Sequence, residues 1–312
     1  MNQGWTYRDR IHSQDSGLTV LQFYAQRYRH SSRAEWQERI LAGQIRLDGA
    51  LVQPETRLQQ GQQLTYERSP WEEPTVPLDF AVLYADPDLL VVAKPAGLPV
   101  LPGGGFLEHT LLWQLQQRYP QETPLPVHRL GRGTSGLMLL GRSPLARAQL
   151  SQQLRAATQD PYATKTITKT YRALVGCSQP ASLPDQFSIT HPIGKIPHAA
   201  LGYVYGATAD GLPAHSDVQV VRRDEASTLL EVTIRTGRPH QIRIHLAAVG
   251  FPLLGDPLYV EGGVPRQPIA ATQTLPVPSD MGYHLHAYHL ALTHPRTGAA
   301  LHFTCPPPAV LA

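Results

Sequence analysis

Three stretches of this chain concentrate side chains that could do chemistry. PVHRLGRGTSGLMLLGRS, from Pro126, sets His128, Arg129, Arg132 and Thr134 in one glycine-rich run. KTYRALV places Tyr171 between Lys169 and Arg172, and TGRPHQIRIHLAAVGFPLLGDPLY carries His240, Gln241, Arg243 and Asp256. Arginine dominates the cations: of 27 Lys and Arg residues, 23 are Arg and four are Lys. A guanidinium is a planar fork that fits phosphate and base edges. An Arg-biased coding sequence would give the same count, so placement has to decide. From Arg129 to Arg172 there are eight basic residues against one acid, Asp160. Such a run on a globular surface marks a polyanion partner.

Other chemistries fit poorly. GRGTSG lacks the Gly-Lys-Ser/Thr ending of a nucleotide-binding loop. Of His284, His286 and His289, alternate spacing on a strand would bring the first two together, but no acidic or thiolate partner stands nearby in sequence, so no metal is expected. Cys177 and Cys305 fit no CxxC spacing, which points away from a disulfide framework and towards a reducing, cytoplasmic setting. No apolar run reaches membrane-spanning length, and the polar start MNQGWTYRDRIHSQD reads as neither signal nor transit peptide. The net charge of +3 is too small to identify a partner by itself.

The elements that must position these residues fall into two parts. Residues 17–68 read as a compact α/β unit. Leu18, Leu21, Tyr24, Ala25 and Tyr28 recur at helical spacing. Ser32 and Glu35 form a capping box for a second helix, whose stripe is Trp36, Ile40 and Leu41 and whose stop is Gly43. Asp48-Gly49 then marks a hairpin, and QLTYE a further strand. SPWEEPTVPLDF is a proline-rich connector, and the boundary is set near Thr75. Beyond it, strand signals recur at LLVVAK, KTYRALVG, SDVQVVRR, TLLEVTIRT and AYHLALTHP. Helices are expected near 109–118, 144–155 and 241–249. This predicts an α+β domain over residues 76–312 with a mostly antiparallel sheet, after a small module in residues 1–75. The stretch from Gly262 to Asp280 reads as an irregular surface loop.

SSRAEWQERILAGQIRLDGALVQPETRLQQGQQLTYE resembles the small RNA-binding module shared by a ribosomal small-subunit protein, tyrosyl-tRNA synthetases and many pseudouridine synthases. In that module the second helix and the loop after it face RNA. The resemblance therefore assigns RNA contact to Arg27, Arg29, Arg33, Arg39 and Arg46, mostly through phosphates. Residues 21–46 hold those five arginines against Glu35 and Glu38, whereas residues 1–75 carry nine cations and nine acids. In the larger part, LLVVAKPAGLPV, PVHRLGRGTSGLMLLGRS, KTYRALV and the HQIR stretch stand in the order found in large-subunit rRNA pseudouridine synthases of the RluA type. The GRGTSG form and the PWEEP linker are similar to a plant and cyanobacterial branch of that family.

The resemblance implies isomerisation of uridine to pseudouridine in structured RNA, rRNA or tRNA, by a monomer needing no cofactor. The target base must leave its stack. Arg129 corresponds to the residue that supports flipping, Tyr171 to the base platform, and Arg243 to the partner of a catalytic carboxylate. His128, Arg132, Thr134, His240 and Gln241 lie in the same motifs and are assigned to RNA contact, the two histidines orienting loops. The chain departs from the pattern at its centre. The family's aspartate position is Gly131, and Gly133 stands where a second acid is common. A glycine can neither attack nor accept a proton. Two functions therefore remain open: a synthase that draws its reactive group from elsewhere, or a degenerate homologue that binds RNA without converting it. The intact Tyr171 and HQIR motif favour the first. Arg243 is expected to find a substitute anion, with Asp160, Glu108, Glu122 or a bound ion as candidates, while Asp256 is expected to hold a turn. If position 131 is simply empty, Gly131→Asp should supply the lost group.

Overall fold

The computed structural model describes residues 1–159, 167–176, 183–199, 201–267 and 275–312. The chain divides into two compact units, Met1–Glu73 with Ala199–Gly202, and Pro74–His198 with Tyr203–Ala312. Asp160 and Cys177 lie outside the described residues.

The first unit contains β1 (Trp5–Arg10), α1 (Val20–Arg27), α2 (Arg33–Leu41), β2 (Ile45–Leu47), β3 (Ala50–Leu51) and β4 (Gln63–Arg68). The capping box of α2 forms as its spacing predicts: the Glu35 amide donates to Ser32 Oγ at 3.2 Å, and the Ser32 amide donates to Glu35 Oε2 at 2.6 Å. Thr19 and Gln22 make the same motif at the start of α1. Asp48 and Gly49 both adopt positive φ, 50° and 84°, which gives the twisted turn a two-residue hairpin requires. Trp36, Tyr24, Phe23, Ile40, Ile45 and Leu64 bury together as this unit's core. The sheet order is β1-β4-β2-β3. β1 departs from expectation, because WTYRDR pairs along its whole length with β4 but keeps nearly every side chain exposed. Without a buried face it has no apolar alternation to read.

The second unit contains β5 (Ala81–Ala85), β6 (Leu89–Lys94), α3 (Leu111–Arg118), β7 (Leu125–Pro126), β8 (Ser135–Gly141), α4 (Pro144–Gln159), β9 (Ile167–Gly176) and β10 (Gln186–Ile189). It continues through β11 (Ile193–His198), β12 (Gly202–Ala207), β13 (Ser216–Arg223), β14 (Ser227–Ile234), α5 (Gln241–Ala248), β15 (Tyr259–Val260), β16 (Val264–Pro265), β17 (Leu285–Thr293) and β18 (Ala300–Thr304). A ten-stranded sheet runs β10-β13-β14-β9-β17-β8-β6-β5, with β18 on β17 and β7 on β8. This is an α+β fold with a mostly antiparallel sheet. α3 starts two residues later than the sequence suggests because Thr110 is its cap, accepting from the Trp113 amide at 3.2 Å. The segment read as an irregular loop from Gly262 includes β16, paired to β15.

β17 is the hinge of the arrangement. It pairs antiparallel with β9, and it meets β8 in parallel through His286↔Ser135 and Ala287↔Gly136. Gly136 allows this approach: at φ 103°, an added Cβ would sit 2.2 Å from the Ala287 carbonyl oxygen. Ala287 also lies opposite Tyr171, so the end of the glycine-rich motif and Tyr171 flank one residue of β17. A bulge follows between Ala287 and His289, a device that re-aims side chains beside functional sites.

Candidate active site

Arg243 begins the site. It lies on the first turn of α5, buried, and its partner is Asp256, whose side chain is 0% exposed. The pair is bidentate, Nε to Oδ2 at 2.7 Å and Nη2 to Oδ1 at 2.8 Å, while Nη1 donates to the Pro278 carbonyl at 3.1 Å. Burial works against the guanidinium's charge, but the Asp256 carboxylate together with Tyr283 and Tyr259 outweighs it and raises Arg243 above its ordinary value. The anion that sequence reasoning demanded is therefore present, but it is none of the acids proposed. Asp256 does hold a turn, since Oδ1 accepts the amides of Leu258 at 2.9 Å and Tyr259 at 3.1 Å. The same carboxylate neutralises Arg243. With both oxygens engaged and no exposure, it cannot reach a substrate.

The loop between β7 and β8 carries the glycine-rich motif. The Thr134 amide donates to the Gly131 carbonyl at 3.1 Å and closes a turn. Gly131 does not face an empty position. A Cβ there would lie 2.8 Å from the hydroxyl of Tyr283, and one on Gly133 would lie 3.0 Å from Tyr283 Cζ. Tyr283 is 5% exposed and comes from the lead-in to β17. The Arg243 guanidinium carbon stands 4.2 Å from the centroid of its ring and 5.0 Å from that of Tyr259. Its hydroxyl has one close polar neighbour among the described residues, Thr134 Oγ1 at 3.4 Å. Tyr283 thus connects Arg243 with Gly131, and sequence reasoning missed it. The available signal was the pair of glycines, whose missing side chains leave room for something.

The remaining motif residues divide into those committed to the protein and those facing outward. Gln241 is fully used: its carbonyl accepts from Thr236 Oγ1 at 2.7 Å and the Arg238 amide at 3.1 Å, and its nitrogen donates to the His215 carbonyl at 2.8 Å and Ser216 Oγ at 2.9 Å. Buried and saturated, it has nothing left for RNA, which corrects the contact assigned to it. His128 Nε2 accepts the Leu139 amide at 3.1 Å, and burial, with Lys169 nearby, holds its imidazole down to about 3. Thr134 is buried. His240 caps α5 at a left-handed φ of 53°. The Tyr259 hydroxyl donates to the Tyr205 carbonyl at 2.8 Å, so it accepts from His240 Nδ1–H at 2.7 Å and leaves Nε2 as an acceptor. Burial, then Arg243 and Arg129, lower His240 to about 4. Tyr171 packs into the main core at 7% exposure, and burial raises its phenol. Arg129 is exposed and Arg132 half-buried.

Lys94 is a second missed residue. It is buried at the end of β6, donating to the carbonyls of Pro95 and Leu98 at 2.8 Å and of Arg132 at 3.3 Å, while burial lowers it to about 7. Its main-chain contacts tie the first motif to the glycine-rich loop. Among the histidines proposed against a metal role, His286 bonds Ser135 Oγ and the Cys305 carbonyl, and His289 bonds Thr304 Oγ1. No cluster of metal-ligating side chains converges among the described residues. Nor is any helix among them long and apolar enough to cross a membrane.

In the first unit the five arginines differ. Arg29 and Arg33 are exposed. Arg39 lies 4.5 Å over the Trp36 ring and donates to Ser31 Oγ at 2.9 Å. Arg46 is 3.9 Å from Glu67, and Arg27 is 3.7 Å from Asp15. A trough of about 690 Å³ in this unit, lined in part by Trp5, Arg8, Gln44 and Arg68, involves none of them.

Residues 88–248 match the family model described as RNA pseudouridylate synthase. The chain is 52% identical over 292 residues to an uncharacterized RNA pseudouridine synthase of Synechocystis, covering 94% of this chain and 95% of that one. It is 40% identical to RNA pseudouridine synthase 5 of Oryza sativa, over 99% of this chain and 88% of that one. This chain belongs to the RNA pseudouridine synthase family. The synthase is also 33% identical to ribosomal large subunit pseudouridine synthase D of Pseudomonas aeruginosa, covering 94% of this chain and 89% of that protein. Human RNA pseudouridylate synthase domain containing 1 shares the fold, with a TM-score of 0.54 at 22% identity over 76% of this chain and 87% of that one. The pseudouridine synthase therefore carries its family's fold around a glycine-rich loop against which Tyr283, from the lead-in to β17, is packed.

Proposed function

We propose that this synthase isomerises a uridine to pseudouridine in structured RNA, rRNA or tRNA, after flipping the target base from its stack. The observation that supports this reading most is the convergence on β17. The Gly131 loop, Tyr171 and, through Tyr283, Arg243 come from separate motifs and assemble around one strand and its lead-in. A surface that merely bound phosphate would not need a buried arginine–tyrosine core beneath its basic loop. In this reading Arg129 enters the gap left by the flipped base, and Arg29 and Arg33 meet phosphates; that all three are exposed supports it. Tyr171, with little exposed surface, can meet a base only at its remaining open edge.

The test is mass spectrometry of RNA from cells with and without the gene, combined with tritium release from RNA labelled at uracil C5. The expected result is one or a few uridines that convert only when the protein is present. RNA binding with no converted site would instead establish a binding protein without isomerase activity.

A further inference from the structure

We propose that the Tyr283 hydroxyl is the catalytic oxygen of this synthase, taking over the place and task of the carboxylate missing at position 131. The inference rests on the isomerase reading above and names the group that performs it.

Three observations carry it. First, the geometry is an exchange. The Tyr283 hydroxyl lies 2.8 Å from where the first carbon of a side chain at 131 would be, and ring carbons lie 3.0 Å and 3.1 Å from the corresponding point on Gly133. Neither glycine has a positive φ, so the backbone does not demand glycine at either position. Tyr283 does, because a side chain at 131 would collide with its hydroxyl and one at 133 would crowd its ring carbons. Second, the acid that pairs with Arg243 is spent. Asp256 gives both oxygens to Arg243 and to two amides, and it is fully buried. The Tyr283 hydroxyl, by contrast, has only a long contact to Thr134. It lies against Gly131, which is exposed, so it is near the face that a substrate would approach. Third, Arg243 stands over the Tyr283 ring at 4.2 Å and fixes its position from behind. Here Arg243 is a positioning residue.

The chemistry balances without a cofactor. A phenol oxygen is a known nucleophile at sugar anomeric carbons. The phenol releases its proton to water, and the phenolate oxygen attacks ribose C1′. The C1′–N1 bond breaks, and its electron pair leaves with uracil as the ring anion. Uracil turns so that C5 faces C1′. C5 then attacks C1′, and the C1′–O bond breaks to return the phenolate. Finally C5 loses its proton, N1 takes one up, and the phenolate is reprotonated. Nothing is oxidised or reduced. Thr134 Oγ1 can donate to the phenolate oxygen while it carries charge.

Three variants of the full-length protein test this, using total RNA from cells lacking the gene as substrate. Tyr283→Phe removes the oxygen and keeps the ring under Arg243, so folding and RNA affinity should be retained. Pseudouridine formation should fall at least about a thousand-fold, as expected for loss of a nucleophile. Gly131→Asp alone crowds the hydroxyl and should not exceed wild type. The double variant Gly131→Asp/Tyr283→Phe relieves that contact, since among the described residues, chain neighbours aside, Thr134 Oγ1 is the other atom within 4 Å of the added Cβ. It should recover at least about ten-fold over Tyr283→Phe. Wild-type turnover in Tyr283→Phe would overturn the proposal and reduce the ring to a filler. Absence of product from wild type on every RNA would overturn the isomerase reading itself, and this proposal with it.

Discussion

Arg243 and Arg33 are the same side chain in opposite surroundings. Arg243 is buried between two tyrosine rings, bound through Nε and Nη2 to Asp256. Arg33 opens α2 and is exposed. A buried guanidinium without a partner carries a large desolvation cost, whereas an exposed one carries almost none. The catalytic unit is thus built around a charge it must compensate, and the first unit can present its charges freely. That difference teaches where substitutions should hurt stability and where they should touch only function.

The largest effect should come from Asp256→Asn. It leaves the Arg243 charge buried with a neutral partner, and about 3–5 kcal/mol of stability should be lost. Urea unfolding followed by hydrogen exchange in residues 241–259 measures it. A loss below about 1 kcal/mol would mean that Arg243 is not held by this pair.

Acidification should act next, and more on the catalytic unit than on the first, where burial lowers His30. His128 is held at about 3, and His240 and His245 at about 4, all mainly by burial. An unfolded histidine titrates near about 6.5. Below that pH the unfolded chain binds protons that the folded one refuses, so stability falls as pH drops from about 6.5 towards about 3. Above about 6.5 these groups contribute no pH dependence. Unfolding midpoints between pH 7 and 4 should decline in amides of the catalytic unit, and His128→Gln should flatten part of that slope. A flat midpoint over this range would show that the imidazoles are not shielded.

The smallest stability change should come from Arg33→Ala, within about 0.5 kcal/mol of wild type. Its effect should appear in RNA binding, where the slope of log affinity against log salt should fall by about 0.7–0.9. Arg39→Ala sharpens the contrast, because Arg39 packs on Trp36 and Tyr66 and should cost stability as well. An unchanged slope in Arg33→Ala would mean that this face does not meet phosphate.

The local grammar of the chain fixed much of the fold. The Ser32–Glu35 box and the Asp48-Gly49 hairpin both formed as their residue types dictate. Each rests on interactions within a few residues, and short-range hydrogen bonding is written in sequence. β1 was not legible because its partner, β4, lies more than fifty residues away and its own side chains bury nothing. The motifs located the site, and burial physics required an anion for Arg243. Physics could not say which one: Asp256 is 13 residues away along the chain, across the turn that α5 makes, and only folding brings it back.

The sequence by itself determined the family, the α+β class and the absence of a carboxylate at position 131. Tertiary structure alone decided what that absence means. Gly131 and Tyr283 are separated by about 150 residues of chain, and no local rule relates them. They meet because β17 runs parallel to β8 for two residue pairs beside Gly136, which carries the lead-in of β17 across the loop. A side chain's absence is a local fact, but the atom that fills the space is set by strand register, and register is a property of the whole sheet.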